Sequence, residues 1–541
     1  MLTRRSFLTR SSLASGAVVG VIAPHVARST EALLASPGQR PKRIIHVVSD
    51  GMSIGTLTCA DAYSQLTRKR RLAWTELWNH PAARSAVMNT RSLNSLVTDS
   101  SAASSAWGSG SRVVNGAVNA LPNGALLTPL YTLFAAAGWK TGLVTTAEIT
   151  HATPAGFATA VTSRGDAEDI AVQYFERKVD ILLGGGRPYF SPNRRRDKRD
   201  LRGDFTRAGY RFVATQAELA AAPLDAPVLG TFADGHLPYT IDHRADPKLV
   251  QSVPTLADLT RAALARLERS DKFILQVEGA RIDHAAHNSD AAAAIHEQIA
   301  LDEALVLVLE FQQRHPDTLI VCTTDHANSN LGLTGMGGGY GTSSQRFAML
   351  SEIKMSFPGI LKRFEQVGEP IKVPAIPTDP EDRLDVQATN SSSTDRTKFT
   401  AAVQMASALR VEPATIIDII AETTGYRMSL RRAELFAKVL AGTAPQLFDQ
   451  MNSPVTQLGQ LLGNRLGIGW TGNTHTADYV QLTAIGPGSE RFTGFMENTD
   501  VFRHYTALAG IDFKNPTAPL IAHAGPESDD AEGPARYQAM S

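Results

Sequence analysis

Five short segments of this chain carry the side chains with which it could do chemistry. In Val277-Glu278-Gly279-Ala280-Arg281-Ile282-Asp283-His284-Ala285-Ala286-His287, Asp283 and His287 stand four apart. On one helical turn they point the same way and can share a metal ion. Two acids and two histidines within ten positions are hard to explain as a merely solvated helix face. Thr323-Thr324-Asp325-His326 and Gly472-Asn473-Thr474-His475-Thr476 add an acid and two histidines, although His475 by itself reads more readily as a surface histidine. Val47-Val48-Ser49-Asp50-Gly51-Met52 ends a strand on an aspartate, and the glycine that follows lets the carboxylate face an open crevice. A turn or capping aspartate would look the same in isolation. In Val97-Thr98-Asp99-Ser100-Ser101-Ala102-Ala103-Ser104-Ser105-Ala106-Trp107, small residues after a strand-like segment let a helix begin close to another backbone. Its free N–H groups and dipole suit an anion, and a serine there could hold a phosphoryl group. A plain helix cap with small packing residues is the alternative, and the run does not say which hydroxyl would be the nucleophile.

Such residues need a frame that brings them together. Apolar runs with strand character, at residues 43–48, 140–144, 179–183, 273–277, 318–323 and 479–485, alternate with helical patterns. The alternation predicts an α/β fold: a mostly parallel central sheet with helices on both faces. After four of the runs come Asp50, then Glu148 with His151, then Glu278, then Asp325 with His326. Ligands of open α/β sheets bind beyond the carboxyl ends of the strands, so one shared site is the economical reading. Residues 327–467 break the pattern with a Gly-rich loop, a Pro-rich stretch and amphipathic helices, and read as an insertion or crown subdomain within a catalytic domain spanning residues 37–541. The Arg/Lys/Asp-rich run at residues 188–204 reads as a solvated surface loop.

With 53 basic and 53 acidic residues among 541, nothing argues for nucleic acid or an anionic membrane as partner. The two cysteines, Cys59 and Cys322, are too few for a disulfide framework or a thiolate metal site, so ligands must be His, Asp or Glu. Both read as buried thiols, and whether they pair is left open. Residues 1–36 carry Thr3-Arg4-Arg5-Ser6-Phe7-Leu8 before a modest apolar stretch, the pattern of a twin-arginine export signal cleaved between Ala27 and Ser36. No later apolar segment is long enough to span a bilayer, so a periplasmic or secreted protein without stable membrane insertion is expected.

Taken together and in this order, the segments resemble the alkaline phosphatase family. The matching stretches run from Arg43 to about Gly510 and include Asp50-Gly51-Met52, Thr98-Asp99-Ser100, Ala152-Thr153-Pro154, Thr162-Ser163-Arg164, Val277-Glu278-Gly279, Asp283 with His287, Thr324-Asp325-His326 and Thr474-His475-Thr476. The resemblance implies hydrolysis of phosphate monoesters through a phosphoserine at Ser100, with Arg164 as a bidentate fork on the phosphate oxygens. It implies one zinc ion on Asp283, His287 and His475, a second on Asp50, Asp325 and His326, and a magnesium ion on Asp50, Thr153 and Glu278. A homodimer is compatible with it. His151 stands where some members have an aspartate. A sulfatase would need a cysteine or serine in a Cys/Ser-x-Pro-x-Arg setting, which neither cysteine has, and Thr153, Glu278 and Arg164 argue against a phosphodiesterase.

Overall fold

A computed structural model describes residues 40–336, 339–371, 408–444, 451–522 and 538–539. The export signal of residues 1–36 and most of the Pro-rich stretch within residues 327–467 lie outside the described residues. Ten strands form one sheet: β1 (Arg43–Ser49), β2 (Arg84–Asn89), β3 (Lys140–Glu148), β4 (Ile181–Gly185), β5 (Arg211–Val213), β6 (Val228–Thr231), β7 (Phe273–Gly279), β8 (Thr318–Thr323), β9 (Val480–Ile485) and β10 (Gly494–Glu497). Their order is β10-β2-β9-β8-β1-β7-β3-β4-β6-β5. Only β9 runs against the others, antiparallel to both β2 and β8.

The apolar runs are nearly continuous because both faces are buried. Ile45, Val47, Val144, Leu275 and Ile320 enter one core, while Ile44, Val48, Leu143, Ile274 and Leu319 enter the other, as the two-residue side-chain period of a strand requires. Helices cover both faces, as expected. The four marginal strands β2, β5, β6 and β10 were not anticipated: β2, for example, buries only Ala86 and Met88 and leaves Ser85 and Val87 exposed. Cys59 and Cys322 are buried free thiols.

Two expectations need correction. The helix α1 (Ser100–Ser109) does not follow a strand, since β2 ends at Asn89 and an irregular segment intervenes. The charged run at residues 188–204 is more than a solvated loop. Arg195 is 1% exposed and donates to Asp197 and to the Tyr189 carbonyl at 2.7 Å, so a buried guanidinium ties the segment down.

The small residues of α1 serve a packing purpose. They bring it against α2 (Ala152–Ala158) at backbone contact distance: a Cβ on Gly108 would lie 1.8 Å from the Gly156 carbonyl oxygen. Ser104 Oγ donates to the Thr153 carbonyl at 2.6 Å, which fixes Ser100 and Thr153 relative to one another. A Cβ on Gly156 would meet Ser104 Oγ at 2.0 Å and the Ser104 backbone at 2.8 Å. Gly156→Ala should therefore lower unfolding free energy by about 1–3 kcal/mol, the usual cost of overpacking. An unchanged urea midpoint would contradict this spacing role.

Within the segment 327–467, the described helices α5 (Phe357–Val367), α6 (Pro413–Thr424), α7 (Leu430–Leu440) and α8 (Pro454–Leu466) are amphipathic. Phe357, Ile360, Phe364 and Ile416 join the same core as β1 and β7. The other helices that matter to the site are α3 (Arg281–His287) and α4 (Ala291–Arg314). Among the described residues no helix is long and apolar enough to cross a membrane.

Candidate active site

The carboxyl ends of β1, β7 and β8 converge, and the sequence-derived residues converge with them. Asp50 follows β1, Glu278 is the penultimate residue of β7 rather than beyond it, and Asp325 and His326 lie just past β8. Asp283 and His287 come from α3. His475 arrives on a short strand, His475–Thr476, paired antiparallel with Ala327–Asn328, and its ring stacks on His326 at 3.6 Å. Gly51 has φ +71°, and a Cβ there would lie 2.5 Å from Asp283 Oδ1, so the turn that turns Asp50 inward also admits the second acid.

Three groups of ligand atoms result, each closing within 4.8 Å: Asp283, His287 and His475; Asp50, Asp325 and His326; and Asp50, His151 and Glu278. The first two coincide with the sets expected for zinc. The third shares Asp50 and Glu278 with the expected magnesium set and adds His151, while Thr153 Oγ1 is buried beside Glu278 without a well-formed hydrogen bond.

Hydrogen bonds decide which histidine nitrogens are free. His287 Nδ1 faces the Asn473 carbonyl at 2.7 Å and His475 Nδ1 faces the Thr98 carbonyl at 2.8 Å. A carbonyl only accepts, so each Nδ1 carries the proton and each Nε2 presents a lone pair. Those two Nε2 atoms lie 3.1 Å apart, with Asp283 oxygens 3.3 and 3.5 Å from them. Such an assembly of lone pairs and carboxylate suits a cation, and carbonyl-anchored imidazoles are the usual support of metal ligands. In the second group both oxygens of Asp50 and Oδ2 of Asp325 are buried without a well-formed hydrogen bond, as are both oxygens of Glu278 in the third. Buried polar atoms of this kind call for a partner, and the donor sets of all three groups fit metal ions.

The electrostatics agree. Burial, reinforced by the charges of Asp325, Asp283 and Glu278, raises the Asp50 carboxyl well above its ordinary range. Burial also pushes Glu278 up to about 7. Burial opposes ionisation of Asp283 too, but without a metal ion a proton held between it and His287, and then His475, outweighs burial and keeps that carboxyl well below the usual value, the place a cation would take. Four carboxylates in one dry crevice are an excess of negative charge that a cation would relieve.

Ser100 is the first residue of α1 and is buried, with Oγ 3.1 Å from His326 Nε2. The neighbouring hydroxyls are committed elsewhere: Ser101 to Asp99 at 2.7 Å, Ser104 to Thr153, and Ser105 to the Asn119 N–H at 2.8 Å. Of these hydroxyls, that of Ser100 is the one that faces the ligand groups. Asp99, whose positioning role was not anticipated, caps the helix through the Ala102 N–H and accepts from Gly116 N–H and from Arg164 Nη1 at 3.2 Å. Its N-cap signature is visible in the sequence, but its hold on Arg164 is not. Burial raises the Asp99 carboxyl, yet Arg164 and these hydrogen bonds bring it below its ordinary value. Arg164 Nη2 also reaches His151 Nε2 at 3.3 Å. Arg164 and Ser100 border a cavity of about 680 Å³, which is also lined by His475 and Asp283.

An open, mostly parallel sheet with carboxylate and imidazole groups and a buried serine beyond its strand ends is the framework of a metal-dependent hydrolase. The family model described as Alkaline phosphatase matches residues 41–412. Alkaline phosphatase 3 of Bacillus subtilis is 29% identical over 92% of this chain and 94% of its own length. Streptomycin-6-phosphate phosphatase of Streptomyces griseus is 33% identical over 59% of this chain and 80% of its own. The crystal structure of Thermus thermophilus alkaline phosphatase superposes with a TM-score of 0.76 at 32% identity, covering 92% of this chain and 97% of that one. The chain belongs to the alkaline phosphatase family and is a phosphoric monoester hydrolase. His475 lies beyond the residues that the family model matches, and the short strand pairing at Ala327–Asn328 returns it to the site.

Proposed function

We propose that this enzyme hydrolyses phosphate monoesters through a phosphoserine at Ser100, with two zinc ions and one magnesium ion. The observation that carries the reading is the position of Ser100 Oγ, at the start of a helix and beside the His326 ligand group. Asp283, His287 and His475 would hold one zinc ion, Asp50, Asp325 and His326 the other, and Asp50, Thr153 and Glu278 the magnesium ion, with His151 alongside. When bound, these ions supply positive charge against the attacking and leaving oxygens and lower the pKa of a hydroxyl or water.

The chain's own residues do the rest. Arg164 offers two N–H groups to non-bridging phosphate oxygens, with its fork held by Asp99. The N–H groups opening α1 add donors to the same phosphoryl group. Ser100 Oγ bonds to phosphorus as the ester oxygen departs with the alcohol, which takes up a proton. Water then cleaves the Oγ–P bond, restoring the serine and releasing phosphate. The segment 327–467 serves as a crown beside the cavity, to which it contributes Pro358, and residues 1–36 direct twin-arginine export. Zinc and magnesium analysis of the purified enzyme, combined with its rate on an aryl phosphate, tests the reading. Full activity after exhaustive chelation would refute it.

Arg164→Ala should raise KM and lower kcat for a monoester by a combined factor of about 10–100, the usual worth of a charge-assisted pair. It should weaken diester hydrolysis less, because a diester offers one fewer charged oxygen. Equal losses on both substrates would count against the clamp.

Burial lowers the pKa of His151 to about 3, with Arg164 adding to the effect, so the ring is neutral and brings no hard oxygen to the third group. Magnesium prefers hard oxygen neighbours and keeps several waters, which an aspartate would help to orient. His151→Asp should therefore shift a magnesium titration at fixed zinc to lower concentration. Superimposable titrations would refute this role.

A further inference from the structure

The cavity over Ser100 extends past the ligand groups to Arg281, the first residue of α3, whose charge the mechanism above does not use. Its guanidinium carbon sits over the Tyr239 ring, 3.8 Å from the centroid, a cation–π contact that holds it in place. Among the described residues it forms no ion pair. Glu297 acts on it only at longer range, with its carboxylate already accepting from the Thr240 N–H. Arg281 Nε is buried without a hydrogen bond, and Nη2 has no protein partner among the described residues.

Two imidazoles in the same part of the cavity have tautomers imposed by their neighbours. Arg281 Nη1 lies 2.8 Å from His284 Nδ1, and a guanidinium can only donate, so Nδ1 accepts and the His284 proton sits on Nε2. The Glu148 backbone N–H donates to His236 Nδ1 at 3.1 Å, which places the His236 proton on Nε2 as well. The two rings are 4.4 Å apart, and neither Nε2 has a protein partner among the described residues. One cation and two N–H donors thus line one end of the cavity. They are separated from Arg164 by His151, whose ring lies 5.6 Å from that of His284 and whose Nε2 meets Arg164. The cavity wall also carries Glu148, hydrogen-bonded by the Tyr189 hydroxyl at 3.1 Å, whose charge would turn an anion toward Arg281.

We infer that Arg281, with His236 and His284, forms a second oxyanion subsite, so that the preferred esters carry a carboxylate or a further phosphate on the alcohol that leaves. With Nη1 on His284, the guanidinium leaves Nε and Nη2 as an edge for bidentate pairing with either group. The inference rests on phosphomonoester hydrolysis at Ser100 and specifies the leaving half of the substrate.

The test uses the metal-loaded enzyme and two matched pairs of esters: phosphoglycerate against glycerol phosphate, and fructose bisphosphate against fructose monophosphate. Wild-type kcat/KM should favour the more acidic member of at least one pair, and the pair concerned distinguishes carboxylate from phosphate. Arg281→Gln should reduce that preference by about tenfold, the typical worth of a charge-assisted hydrogen bond, chiefly through KM. Arg281→Lys should restore part of it, which a purely structural stacking role would not do. Equal losses on both members of each pair, or an unchanged preference, would overturn the subsite. If the wild type turned over no ester, the phosphatase reading would fail instead. Calorimetric binding of phosphoglycerate and glycerol phosphate to wild type and Arg281→Gln would still judge Arg281 by the same difference.

Discussion

Ser100→Ala is expected to lower kcat on a simple aryl phosphate by on the order of a thousandfold or more, and to abolish any pre-steady-state burst of alcohol. The expectation follows from the commitments of the other hydroxyls on α1. Ser101, Ser104 and Ser105 all hold structural hydrogen bonds, so none is free to take over without dismantling the helix start. Metal content should remain near that of the wild type, because the three ligand groups come from β-strand ends, the start of α2, α3 and the His475 strand, not from α1. A variant that retained a burst, or that lost its metals together with its activity, would show that Ser100 is not the nucleophile.

Asp50→Asn should have an effect of comparable size for a different reason. Asp50 belongs to two of the three ligand groups, whereas Asp283 belongs to one. Removing its charge should therefore weaken two sites together, by about 100-fold or more each, since even support of a ligand is worth 10–100-fold in metal affinity. Asp283→Asn should weaken only one. In the metal-stripped protein the sign reverses. Burial and the charges of Asp325, Asp283 and Glu278 make an ionised Asp50 costly, so a neutral asparagine should raise the melting temperature of the stripped protein. Metal analysis of both variants and a melting comparison with and without chelator read these effects. Loss of a single metal equivalent in Asp50→Asn, or a lower melting temperature in its stripped form, would contradict the shared role.

Much of the site was legible because three of the ligands sit where an apolar run gives way to a charged residue. Asp50, Glu278 and Asp325 lie at strand ends, and the four-residue spacing of Asp283 and His287 is itself a statement of geometry. The sheet was legible where strands are buried on both faces, and much less so at β2, whose half-exposed pattern resembles a loop. Other features depend on contacts between distant segments. The choice of Ser100 over its neighbours needs Thr153 and Asn119, and the free nitrogens of His287 and His475 are set by the carbonyls of Asn473 and Thr98. The burial of Arg195 within a charged run and the placement of Arg281 over Tyr239 likewise depend on contacts that the local sequence does not show. His151 was singled out from the sequence, but its contact with Arg164, linking the third ligand group to the phosphate fork, was not.

Covalent chemistry at Ser100 is the central claim, and acid quenching of the turning-over enzyme tests it most directly. The zinc- and magnesium-loaded protein would be mixed with an aryl phosphate, quenched in acid within the first turnovers, digested and mapped by mass spectrometry. A single phosphorylated peptide with the phosphate on Ser100 is expected. Phosphate on Ser101, Ser104 or Ser105, or turnover with no phosphopeptide in Ser100's segment, would contradict it.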